Sequence, residues 1–545
     1  MMNHHDTEKQ PDEFAMIAPE IQKMRARVTD FLEKESPLTA QEGEERIDVD
    51  EISSQLSHFY ERIRYSVDYK EEHLLRRNAI KRMLKRRLQE QFRRGKIAPF
   101  LVVELVRSGY LKNSTLPERI IKDVDAIVQK SVLLYQSLPG SDQEIFGSSD
   151  NFDRIMGMAA MEIESYLFPD SISMICLDTM YLSLQDSVEI KGSDLSDDDH
   201  NAQLYIACAR SFLGYTESEL FYVLWSMYHP TWIGSGEESD IQDIAEHFDT
   251  YRDHILEQIK APLNWRIVPK LRNSSIYFAL IRESITDKPE LWTGKQLDLT
   301  LIKKHIDALL TRKYDAEKNH IAKSVNRAII YILLTKTVLA FLIELPYDMW
   351  HAGKVNRVAL FINIFFHPAL LFVSTRVVRL PRSGSRQSTV EGIVAIIKKQ
   401  KRPAIIVWAE RKKSLFGYIL SILYIFFFVL IFACFVWALQ KLNFNIVSGG
   451  LFMFFLSLVA YLALRIRGRA KRWRITPKTH SAKSFLVDLL TLPIVQSGQW
   501  FIKRFEHVNI FVFILDFLIE TPFKVLIDVF EGFTHYLREK KERLE

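Results

Sequence analysis

Four apolar runs within residues 327–466 decide the fold of this chain. They read RAIIYILLTKTVLAFLIEL (327–345), VALFINIFFHPALLFV (358–373), LFGYILSILYIFFFVLIFACFVWAL (415–439) and IVSGGLFMFFLSLVAYLAL (446–464). A helix of about 20 apolar residues is long enough to cross the ~30 Å hydrocarbon core of a bilayer. We therefore predict an all-α, polytopic, multi-pass membrane protein, and we call the four runs spans one to four.

The residues before the spans have a different composition. Residues 1–48 are rich in charges and turn formers, so we predict a partly disordered N-terminal segment. In residues 49–326, apolar residues recur at three- and four-residue spacing, as in Ile120, Val124 and Val128, and Gly- or Pro-containing breaks separate these stretches. This pattern predicts a large cytoplasmic helical domain that ends in a helix running directly into span one.

The residues after the spans, 467–545, are amphipathic. Apolar side chains such as Phe501, Phe505 and Val508 follow one helical stripe, which is typical of helices that lie in or on the inner leaflet. The sequence does not decide whether residues 508–519 form an interfacial or a re-entrant segment. Two segments of the loop between spans two and three, Thr389–Lys399 and Ile405–Trp408, are also predicted at the inner interface.

Basic residues mark one side of the membrane. They are concentrated before span one, after span four, and in the loop between spans two and three. That loop contains Arg376, Arg379, Arg382, Arg386, Lys398, Lys399, Lys401, Arg402, Arg411, Lys412 and Lys413. Since cytoplasmic loops carry an excess of Lys and Arg, both termini are predicted to be cytoplasmic, most simply at the plasma membrane.

Polar residues inside spans are the first candidates for a functional site, because they are costly in hydrocarbon. Lys336 lies near the middle of span one, and Asn363 and His367 share one face of span two. A cluster of these three side chains could line an ion or proton path. The alternative, which we favour, is that Lys336 extends along its helix toward the headgroups and the polar groups join helices. Glu344 is assigned to the end of span one.

A basic helical stretch, residues 70–96, is the second candidate. Its proposed lipid-headgroup contacts are Arg76, Arg77, Lys81, Arg82, Lys85, Arg86 and Arg87. A basic amphipathic helix beside a membrane can bind anionic headgroups. The alternative is a solvated helix whose charges pair with Glu71, Glu72 and Glu90. Nucleic acid is not expected, because the aromatic residues that stack on bases are nearly absent here.

Two acidic or histidine-containing stretches are weak metal candidates. The first contains Asp243, His247, Tyr251 and His254, whose spacing would place them close to one face if they share a helix. This stretch lacks the zinc-binding HExxH motif. Residues 193–200 (SDLSDDDH) lack the alternating ligands of an EF-hand and are predicted to be a solvent loop. We therefore predict no metal and no cofactor.

The sequence favours a non-catalytic function. It contains no GxGxxG, GxxxxGK[ST] or GxSxG motif, so no catalytic residue is assigned. We predict an integral membrane scaffold or adaptor that binds anionic lipid and a cytoplasmic protein partner or a second copy. The alternatives are a transporter or channel with a polar path between spans one and two, and a membrane-bound enzyme that acts on a lipid-like substrate.

Overall fold

Helices dominate the part of the chain that the computed structural model describes, which confirms the all-α class. The described residues are 17–33, 44–48, 72–91, 97–139, 149–192, 195–232, 238–352, 355–376, 383–400, 403–409, 415–470, 491–501 and 504. They divide into two units. The helical unit comprises Ile17–Thr286 and Lys401–Ala409, and the membrane unit comprises Asp287–Gln400 and Glu410–Asn509.

The helical unit is built from eleven helices and two short strands within the described residues. They are α1 (Pro19–Glu33), α2 (Glu72–Gln91), α3 (Ile97–Arg107), α4 (Arg119–Ser137), α5 (Asp150–Leu167), α6 (Ser171–Gln185), β1 (Val188–Lys191), α7 (Asp197–Phe212), α8 (Glu217–Tyr228), α9 (Glu238–Glu246), α10 (Phe248–Lys260), α11 (Pro262–Asp287) and β2 (Ile405–Trp408). The 3₁₀ turn Pro230–Trp232 follows α8.

The core of the helical unit follows the predicted apolar spacing. In α4 the buried residues include Ile120, Val124 and Val128, which recur every four positions and therefore share one face. Helix α1 packs against α6 through a buried stripe, so part of the segment predicted to be partly disordered is a packed helix.

The acidic run predicted to be a solvent loop forms the first turn of α7 instead. Ser196 caps this helix, and its hydroxyl accepts a hydrogen bond from the Asp199 amide at 3.1 Å. Asp197, Asp198 and Asp199 follow in the first turn, where carboxylates interact favourably with the positive end of the helix dipole. Capping therefore accounts for a charge pattern that resembled a weak cation site.

Strands β1 and β2 form a two-stranded parallel sheet. Val188 pairs with Ile405 and Lys191 with Trp408. Parallel strands need a long crossover, and here the intervening chain contains spans one and two. The segment Ile405–Trp408, which was predicted at the inner interface, is therefore a strand of the helical unit.

The membrane unit contains four helices that are long and apolar enough to cross a membrane. Its elements are α12 (Glu290–Thr293), α13 (Leu299–Leu339), a π-helical segment (Ala340–Glu344), α14 (Leu345–Ala352), α15 (Arg357–Arg376), α16 (Ser383–Ile397), α17 (Leu415–Lys441), α18 (Ile446–Ala470) and α19 (491–501). At 1.5 Å per residue, the 41 residues of α13 extend about 60 Å, roughly twice the hydrocarbon thickness.

Helices α13, α15 and α18 pack against one another. Buried apolar side chains fill their contacts, among them Val325, Leu371 and Val459. Helix α17, by contrast, leaves most of its large apolar side chains exposed. Helix α19 approaches α18 so closely that a Cβ at Gly498 would overlap the carbonyl oxygen of Ser457.

Helix α16 contains most of the segment Thr389–Lys399, which was predicted at the inner interface. It packs against α13, and Thr389, Ile393 and Ile397 are buried. The Arg386 guanidinium lies 2.7 Å from the carboxylate of Asp307 on α13. The apolar side of α16 is thus covered by protein. The prediction for residues 467–545 lies mostly outside the described residues.

Candidate functional site

A polar cluster lies between three of the apolar helices. Lys336 lies in the last turn of α13, near the middle of span one, and is only 1% exposed. Its ammonium donates a hydrogen bond of 2.6 Å to the Asn363 side-chain oxygen on α15. The same ammonium lies 4.4 Å from the centre of the Phe455 ring on α18. Lys336 therefore points into the bundle and not along its helix toward the headgroups.

Asn363 joins a cation to an anion. Its side-chain oxygen accepts from Lys336, and its amide nitrogen donates to Glu344 and to the Ser448 carbonyl oxygen, the latter at 3.3 Å. An amide can accept at one end and donate at the other, which neither a carboxylate nor an apolar side chain can do. The Asn363 side chain is fully buried, so its polar atoms depend on these partners.

Glu344 is the residue of this cluster that the sequence did not reveal. In a regular α-helix, residues eight apart point about 80° away from each other, which places Glu344 off the Lys336 face. The π-helical segment Ala340–Glu344 fits more residues into its turn and rotates Glu344 back toward that face. Glu344 is buried, and the Ser448 hydroxyl lies 3.5 Å from its second carboxylate oxygen.

His367 lies one helical turn from Asn363. Its Nδ1 is 3.2 Å from the Asn363 carbonyl oxygen, and its Nε2 is 3.0 Å from the Phe452 carbonyl oxygen on α18. Both neighbours are hydrogen-bond acceptors, whereas a neutral imidazole carries one N–H. The ring therefore links α15 to α18 but makes no direct hydrogen bond to Lys336 among the contacts described.

A second polar group closes one end of the same bundle. Asp348 on α14 accepts a hydrogen bond from the Asn445 amide, and its other oxygen lies 3.4 Å from the Asn356 backbone nitrogen. The Asn356 amide donates to the carbonyl oxygens of Leu442 and Asn443 at 3.2 and 3.0 Å. These contacts connect the short loop between spans one and two, residues 346–357, to the short loop between spans three and four, residues 440–445.

The arrangement compensates charge inside an apolar bundle. Lys336 supplies the positive charge, Glu344 the negative charge, and Asn363 the bridge between them. Lys336 and Glu344 are joined through the Asn363 amide. Removing the partner of a buried charged group is strongly destabilising, because the group is left without compensation. The cluster can therefore fix the register of three helices, and it also contains the groups that a proton or ion path would use.

The basic helix makes ion pairs within the helical unit. Arg76 lies 2.8 Å from a Glu164 oxygen, and Lys81 and Lys85 lie 2.6 and 2.8 Å from the two oxygens of Asp153. Further ion pairs of this helix join Arg77 to Glu219, Arg86 to Glu104 and Arg87 to Glu104. These partners come from α3, α5 and α8, and the pairing predicted with Glu71, Glu72 and Glu90 lies outside the side chains that the structure describes. Contacts of its basic residues with lipid headgroups stay a prediction.

The histidine-containing stretch does not lie on one helix. The backbone departs from helical geometry at His247, so Asp243 belongs to α9 while Tyr251 and His254 belong to α10. The Tyr251 ring stacks edge-on against His229 at 4.5 Å. Burial lowers the pKa of His229 below its usual value, with Asp243 opposing the shift. Among the described residues, no group of three or more His, Cys, Asp or Glu is placed to hold a metal ion.

Comparison with known proteins adds no family. No protein-family model matches the chain, and neither a curated protein nor a solved structure matches it.

Proposed function

We propose that this protein is an integral membrane scaffold or adaptor without catalytic activity. The observation that carries the proposal is the buried cluster of Lys336, Asn363, Glu344 and Ser448, whose polar groups are directed at one another across three spans. Side-chain hydrogen bonds between membrane helices favour one arrangement of the bundle. A fixed bundle suits a protein that holds a large helical unit at the membrane for a protein partner or a second copy.

The proposal includes an orientation. Both termini and the loop between spans two and three are cytoplasmic, in the plasma membrane, and the two short loops are external. The excess of Lys and Arg supports this assignment. The pairing of β1 with β2 independently supports one part of it, that the helical unit and the loop between spans two and three lie on the same side of the membrane, because two spans separate strands that share hydrogen bonds. A cysteine-accessibility reporter at Gly353 should react from outside the cell, and reaction only after permeabilisation would overturn the orientation.

A flux measurement with the full chain tests the scaffold proposal. The protein is reconstituted into liposomes containing a pH-sensitive dye, beside empty liposomes, and pH gradients and then potassium gradients are applied. We expect leak rates equal to those of empty liposomes, and native membranes expressing wild type or Phe361→Leu, a variant outside the cluster, should give the same cross-linked species. A leak that Lys336→Met abolishes would contradict the scaffold and favour transport.

Transport is the second candidate, and one observation favours it. The π-helical segment places Glu344 beside the Lys336–Asn363 pair, and π segments within α-helices occur frequently at functional sites. Asp348 follows one turn later, toward the predicted external side. A proton or cation could pass between these carboxylates. The matched variants are Glu344→Gln, which should abolish such a flux, and Phe361→Leu on the exposed face of α15, which should not.

A further inference from the structure

We propose that the outer face of β2, together with Trp265 of α11, inserts into the headgroup region of the membrane and anchors the helical unit there. The partner is a lipid surface that contains anionic headgroups. The inference rests on the proposed membrane insertion of span three, and it goes beyond the proposed function by assigning the anchoring residues.

The two faces of β2 differ in burial. Side chains alternate across a strand, so Ile405 and Val407 share one face and Ile406 and Trp408 share the other. Val407 is buried, whereas Trp408 is 63% exposed and Ile406 is also exposed. The sheet thus covers its inner face with protein and presents a large apolar surface on the outer face.

Basic groups accompany this surface. Lys191 is the cross-strand partner of Trp408 and lies 3.4 Å from the carboxylate of Glu189, the partner of Ile406, so these two charges compensate each other. Arg266 donates a hydrogen bond of 3.2 Å to the Trp408 carbonyl oxygen. The next residue toward the N-terminus, Trp265, is 60% exposed, and the Arg210 guanidinium lies 4.3 Å from the centre of its ring.

Exposed Trp beside Arg and Lys is the composition of a membrane interface. The indole has an apolar body and a polar N–H, and it is enriched at the headgroup level of membrane proteins. Lys and Arg near anionic lipids are attracted to the surface. A surface exposed only to water would not favour two large indoles at these positions.

The chain length limits the distance between this face and the bilayer. Trp408 stands seven residues before Leu415, where α17 begins. Seven extended residues reach at most about 25 Å. The connecting sequence contains Arg411, Lys412 and Lys413, and Lys398, Lys399, Lys401 and Arg402 precede the strand. These basic residues suit an anionic surface, which is why we infer lipid as the partner of this face.

The test uses the full chain in lipid nanodiscs made of phosphatidylcholine and phosphatidylglycerol. Cys434→Ser removes the exposed native cysteine, while Cys176 and Cys208 are buried. An NBD fluorophore is attached at Ile406→Cys, which keeps Trp408 in place. The two reference sites are Met227→Cys, on the helical unit and 50% exposed, and Ile425→Cys, on the exposed side of α17.

We expect a blue shift of NBD emission at position 406 and quenching by doxyl-labelled phosphatidylcholine, with neither effect at 227 and both at 425. Adding Trp408→Ser to the labelled chain should reduce the quenching. As a measurement without a label, doxyl lipid should quench less of the intrinsic tryptophan emission in Trp408→Phe than in wild type.

The outcomes separate the inference from the proposed function. Quenching at 425 without quenching at 406 would overturn the anchor and leave membrane insertion intact. Absence of quenching at both sites would overturn insertion and the anchor together. A blue shift at 406 without quenching would mean that protein covers the face, and this too would overturn the assignment to lipid.

Discussion

The sharpest prediction concerns Asn363, because one amide holds the intramembrane cluster together. In Asn363→Leu a side chain of similar size replaces it, so no large cavity forms, but the Lys336 ammonium, Glu344 and the Ser448 carbonyl each lose a hydrogen-bond partner. Hydrogen bonds between membrane helices average ~0.6 kcal/mol and reach ~1.7 kcal/mol. Three such bonds correspond to a loss of roughly 2–5 kcal/mol in the free energy of unfolding.

The measurement is reversible unfolding of the full chain in mixed micelles, by titration with sodium dodecyl sulfate and circular dichroism. The matched control is Phe361→Leu, which changes a 64% exposed side chain on the same helix and should alter the free energy by less than about 0.5 kcal/mol. If Asn363→Leu unfolds at the same detergent fraction as the control, the cluster does not stabilise the bundle and our reasoning is wrong.

The remaining predictions address the charges, the helix contact and the helical unit. Adding Lys336→Met and Glu344→Gln to the first variant should recover about 1–4 kcal/mol in the same titration, because charges without partners are removed. Gly498→Ala should cost about 1–3 kcal/mol by overpacking against the carbonyl of α18. Burial lowers the pKa of His229 from its usual 6.5, so its contribution to stability is present above that pH and is lost as pH falls through the lowered pKa. His229→Gln should therefore flatten the decline of thermal stability below pH 6.5.

Each of these predictions has a contradicting outcome. No recovery in the combined variant would mean that the uncompensated charges are not the source of the loss. For the helix contact the control is Gly450→Ala, since a Cβ at Gly450 would meet no atom within 4 Å; equal effects at both glycines would contradict the close approach. A wild-type pH slope in His229→Gln would exclude that side chain as the titrating group.

Several contacts could not be derived from sequence because they join residues far apart in the chain. The carboxylates that pair with the basic helix belong to other helices of the helical unit, such as Glu164 and Glu219, and local spacing identifies only neighbours on the same helix. The pairing of β2 with β1 likewise connects positions that two spans separate. The apolar sequence of β2 predicted an interfacial location but could not show that one of its faces, with Val407, is buried in protein, because apolar character is common to lipid contact and to burial.

The sequence by itself determined the helical class, the four apolar helices and the location of Lys336, Asn363 and His367 within two of them. Run length and residue polarity suffice for these. A backbone enters hydrocarbon only when its hydrogen bonds are satisfied internally, and a helix is the structure that does this within one continuous segment. Only the tertiary structure decided that Glu344 joins Lys336 and Asn363. That contact depends on a π turn, which changes the direction of a side chain by altering the number of residues in a turn, and no regular helical period predicts it.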